Sequence, residues 1–158
     1  MPPYFVEFEW DNPRPDRPDD INKRTVYKYV DELVRWYEKE KDQYTYNLEE
    51  ATIELAGFQE ELKRVKVVNR KAEKKEKDEE KLFPTLYEQD CLDKASRERT
   101  DVEVGLQLVI KRLETSLIPK FQKKLRQIDR HVFVLGMIDM KISAQEAMES
   151  VERVLETY

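Results

Sequence analysis

A single cysteine, Cys91, and a single histidine, His131, are the scarce nucleophile and the scarce base among 158 residues. Zinc is held by about four ligands, most of them Cys or His, and one of each falls short. A di-iron bundle would place Glu three residues before His on two helices, but Ile128 holds that position before His131. Cys91 has Glu88, Asp90 and Asp93 around it in sequence, and reactive thiols need electropositive surroundings. It reads as an inert thiol. His131 follows Arg130 and reads as a partly exposed helix residue rather than a switch or ligand. No glycine-rich phosphate loop occurs, and with 34 acidic residues a pair of neighbouring carboxylates carries no information. These residues predict no metal, no cofactor and no enzyme.

Two further segments have binding chemistry. Lys63, Arg64, Lys66, Arg70, Lys71, Lys74, Lys75 and Lys77 form a cationic run that could contact phosphates or acidic partners. The plainer reading is a solvated helix face, and no aromatic residue is interleaved to stack bases. In the N-terminal segment Tyr4, Val6, Phe8 and Trp10 alternate with Phe5, Glu7 and Glu9. An extended chain with this period sends Tyr4, Val6, Phe8 and Trp10 to one side as an aromatic ridge. Such a ridge is rarely left in water, so it predicts a docking element, held by a partner or by the chain itself.

These segments need elements to position them. After the ridge, Pro13, Pro15 and Pro18 form a stiff, polyproline-like spacer. Asp19, Asp20 and Asn22 are N-cap candidates. Val26, Val30, Leu33, Tyr37, Tyr44, Leu48, Ala51, Leu55, Phe58, Leu62 and Val65 then follow at heptad spacing, with one slip near Tyr44. Leu82-Phe83-Pro84-Thr85 breaks the pattern, with Thr85 as the next cap. A second seam runs through Leu92, Val102, Leu106, Val109, Leu113 and Leu117 until Pro119, which should kink or interrupt it. Ser143 and Glu146 make a capping box for a last helix, folded back on the segment before it.

Charge layout orients the two long helices. Glu38–Glu61 carries net −6 and Lys111–Arg130 net +5, so an antiparallel hairpin lays opposite charges together. Near the turn the match fails, since Lys63–Lys77 is net +6 and Cys91–Gly105 about neutral. The predicted seam sets Leu48, Leu55, Phe58 and Leu62 against Leu106, Val109, Leu113 and Leu117, with Gly57 and Gly105 marking close backbone approach.

Composition agrees with thin helices. Charged residues make up 40% against about 25% in ordinary domains, and only three glycines occur. The expectation is an all-α protein with an extended segment over 1–20, a long helical hairpin over 21–128 and a helix–turn–helix over 129–158. Its functional expectation is a non-catalytic interaction protein: an adaptor, scaffold or subunit joined to other chains in a homo-oligomer or hetero-complex. The alternative is a polyanion binder using residues 63–77, acting on nucleic acid or an acidic membrane surface. Net charge −5 disfavours nucleic acid, no stretch reaches a membrane span, and the first residues lack a basic start before an apolar run. One unpaired thiol suits a reducing compartment, cytoplasm or nucleus.

Overall fold

A computed structural model describes residues 5–79, 85–139 and 141–157. The protein is all-α, as its periodicity requires. Helix α1 spans Lys23–Asp78, α2 spans Leu86–Arg112, α3 spans Ile118–Gly136 and α4 spans Ala144–Glu156. Residues 5–18 take no regular secondary structure. The expected break at Leu82–Pro84, and Met140 in the last connection, lie outside the described residues.

The caps follow their side chains. Asn22 Oδ1 accepts from Thr25 N–H at 3.0 Å while Thr25 Oγ1 accepts from Asn22 N–H at 3.0 Å, so two orphan donors are satisfied reciprocally. Thr85 Oγ1 accepts from Glu88 N–H, and Ser143 Oγ from Glu146 N–H.

Pro119 does not interrupt the helical path. A π turn over Leu113–Leu117 precedes it, and Ile118 N–H donates to Leu113 O, five residues back. A proline in α-helical register loses one bond and presses its ring on the carbonyl four residues earlier. The wider π turn shifts that register, and such turns are the usual way one extra residue enters a helix.

The chain forms two compact units, Met1–Val6 with Glu50–Ile118, and Glu7–Glu49 with Pro119–Tyr158. Each therefore takes a different half of α1. In the first unit α1 and α2 run antiparallel, since Gln59 bonds Glu114, Asn69 bonds Glu103 and Glu76 pairs with Arg99. Leu106, Leu113 and Leu117 of the predicted seam are buried there, while Leu55, Phe58, Leu62 and Val109 are half-buried. Gly57 and Gly105 mark no close approach, because a Cβ at either would meet nothing within 4 Å. Asn69, buried among these residues, donates to Glu103 at 2.7 Å and occupies a seam position the apolar pattern left open.

In the second unit three helices surround one core. Val26, Tyr29, Leu33 and Tyr37 of α1 meet Ile128 and Leu135 of α3 and Ala147, Met148 and Val151 of α4. Leu48, the remaining seam residue, is half-buried. The bridge between α1 and α3 is Lys41–Asp129 at 2.8 Å. Its signs are the reverse of the bulk charges of the two stretches, so net segment charge matched the orientation without naming the pair.

Candidate functional site

The expected partly exposed setting of His131 is not what the fold builds. His131 is 5% exposed, and its Nδ1 lies 2.7 Å from the Tyr37 hydroxyl. It falls on the core side of α3, three residues after Ile128 and four before Leu135, where helical spacing puts it beside both. Burial, helped by the positive charges of Arg130 and Arg14, pushes its pKa below the ordinary value. Burial likewise pushes the Tyr37 hydroxyl up. A folded-state pKa depressed below the unfolded value makes the neutral imidazole part of the native structure. Stability is then intact above about pH 6.5 and falls as the pH drops through that value. Urea titrations at pH 7.5, 6.5 and 5.5 should show this decline in the wild type and a flatter profile in His131→Gln. Parallel profiles would mean that His131 does not report on folding.

The N-terminal segment is the most highly organised surface feature. It runs along α1 and is held mainly through its backbone. Asn47 Oδ1 accepts from Phe8 N–H at 2.8 Å, and Asn47 Nδ2 donates to Phe8 O at 2.8 Å. One helix turn earlier Gln43 Oε1 accepts from Trp10 N–H at 2.7 Å. Asn12 continues the pattern: its Nδ2 donates to Glu40 and the Trp36 carbonyl, and its own carbonyl accepts from Trp36 Nε1 at 2.9 Å. An amide side chain carries both a donor and acceptors, so it meets an extended backbone as a neighbouring strand would. Gln43 and Asn47 are four apart and therefore on one helix face, while residues 8 and 10 are two apart on one edge of the extended chain. The two periods match, and both amides are buried.

The side chains then divide. Phe5 is buried, and Glu7 bridges Lys120 at 3.1 Å. Val6 is 68% exposed, Phe8 48% and Trp10 39%. Phe8 meets Trp10 edge-on at 5.9 Å and Tyr46 of α1 at 5.5 Å. The cluster Phe8, Trp10 and Tyr46 is thus pinned underneath and open above. Tyr4 lies outside the described residues. The amides Gln43 and Asn47 were missed by apolar periodicity, which skips polar positions. The available signal was two amides at i, i+4 beside a slip in the seam.

The basic run behaves as a solvated face. Lys63, Arg64, Arg70, Lys71, Lys74, Lys75 and Lys77 are exposed on the side of α1 away from Leu62, Val65, Asn69, Ala72 and Glu76, and Lys66, at the edge of that face, is half-buried. Lys63 and Arg64 are paired with Glu60 and Glu61. Cys91 is exposed. Among the described residues no group of three or more His, Cys, Asp or Glu gathers as metal ligands would. No helix among them is long and apolar enough to cross a membrane.

No protein-family model, curated protein or solved structure matches this chain.

Proposed function

We propose that this protein is a non-catalytic interaction module, an adaptor or complex subunit that presents the Phe8–Trp10–Tyr46 cluster to another protein chain. The observation that carries the reading is the division within the N-terminal segment. Its backbone is clamped by Asn47 and Gln43 while Phe5 is buried and the Phe8 and Trp10 side chains stay 48% and 39% exposed. A segment whose only role was to cover α1 would turn its apolar side chains inward. Holding them outward on a fixed backbone instead lowers the entropy lost on docking. Aromatic side chains of this kind dominate binding energy at protein interfaces.

The test pairs the wild type with Phe8→Ser/Trp10→Ser. The exchange leaves the backbone bonds to α1 in place, so far-ultraviolet circular dichroism should be unchanged. Light scattering and reciprocal co-precipitation from native lysate should show the wild-type assembly and its loss in the variant. An unchanged mass and an unchanged set of bound proteins would put the interaction elsewhere on the helices.

A further inference from the structure

Helix α3 carries five cations, Lys120, Lys123, Lys124, Arg126 and Arg130, and a single acid, Asp129. With Gln127 these cations line a trough of about 870 Å³. Asp129 does not neutralise it, because its carboxylate is engaged by Lys41 of α1 at 2.8 Å. Lys120 is held by Glu7. Lys123, Lys124 and Arg126 are exposed and make no ion pair among the described residues. Three adjacent cations repel one another, and an anion in the trough would relieve that repulsion.

The trough leads onward. Arg130 also lines a second cavity, of about 360 Å³, between α3 and α4. Its walls include Val134, Ile138 and Val154, with Arg153 on the α4 side. Lys120, Lys123, Gln127, Arg130 and Val134 succeed one another at steps of three and four, so they form one stripe along α3 beside the core face. From Lys120 to Val134 that stripe extends about 21 Å at 1.5 Å per residue. It is cationic along its first half and ends in an apolar socket rimmed by two arginines.

We propose that this stripe is a docking site for an acidic segment of a partner protein, whose apolar residue seats between Val134, Ile138 and Val154. The mixed chemistry selects this occupant. A polynucleotide would place phosphates along the cations but offers no aliphatic side chain for the socket, and among the described residues no Phe, Tyr or Trp lines the trough to stack a base. A membrane surface is flat at this scale, whereas the cations here line a concavity. An acidic peptide with one aliphatic side chain matches both halves, and its carboxylates accept bidentate bonds from Arg126, Arg130 and Arg153. The proposal rests on the reading of the chain as an interaction module but uses a different surface from the Phe8–Trp10 cluster, so the two fail separately.

The probe is a fluorescein-labelled peptide of about twelve residues, Asp and Glu with two leucines near one end, long enough to span the stripe when extended. Full-length protein should bind it, with affinity falling as salt rises. Lys123→Glu/Lys124→Glu should weaken binding by about tenfold or more, and replacing the two leucines by serine should weaken it several-fold. Phe8→Ser/Trp10→Ser should leave this binding unchanged. Binding that survives the charge reversal, or an absence of binding to the wild type, overturns the proposal. Tighter binding of an oligonucleotide, or of vesicles containing phosphatidylserine, overturns it as well.

Discussion

Phe121→Ala should lower the unfolding free energy by about 3–5 kcal/mol, whereas Phe58→Ala should cost only about 1–2 kcal/mol. Both phenylalanines stand at apolar seam positions of long helices, and the sequence alone treats them alike. Phe121 is fully buried, with its ring 6.3 Å from that of Tyr44 and the Lys120 ammonium 5.9 Å from its centroid. Removing it leaves a void walled by helices that cannot close without breaking other contacts, so a cavity cost adds to the transfer cost. Phe58 is half-buried in the two-helix unit, where water can enter the space left by its ring. Urea denaturation followed by circular dichroism gives both values. Equal losses at the two positions, or a larger loss at Phe58, would show that the well-packed core lies in the first unit instead.

That contrast marks where the sequence was legible. Heptad spacing, three caps and the scarcity of glycine were enough for long antiparallel helices, because each signal is local or repeats over many turns. Burial depth was not legible. It depends on how many elements converge on a given stretch, and nothing in the spacing around Phe58 says two helices or around Leu33 says three. Pro119 shows a similar limit. Proline chemistry required some departure from α-helical geometry, but either a break or one π turn relieves the clash. His131 went unread for a third reason. A polar residue at a core position looks like a surface residue until its partner is known, and Tyr37 lies 94 positions away in sequence. The trough on α3 was half legible: its charge was counted, but the Val134–Ile138 socket it leads to arises only when α3 and α4 come together.

Asn47→Leu should release the N-terminal segment and cost about 2–4 kcal/mol. Asn47 is 1% exposed, and its side chain satisfies both the N–H and the C=O of Phe8. Leucine is close in volume, so the packing change is small and the loss falls on the two backbone groups. Each buried, unpaired polar group costs about 1–3 kcal/mol, and the chain escapes that cost only by lifting residues 5–12 into water. Lifting breaks the Trp10–Gln43 bond and both Asn12 contacts to Trp36, and it exposes Phe5. The two tryptophans of the chain, Trp10 and Trp36, both lie on this contact, so their fluorescence reads it directly. Emission should shift to the red, and proteolysis within residues 5–18 should become faster than in the wild type. Asn47→Asp separates the two bonds: the carboxylate still accepts from Phe8 N–H but opposes the Phe8 carbonyl with a second acceptor. It should fall close to the leucine variant in stability at neutral pH and recover as the carboxyl is protonated, because the acid form regains a donor. If Asn47→Leu instead keeps wild-type emission and stability to within about 0.5 kcal/mol, the amide clamp is not what holds the aromatic cluster in position.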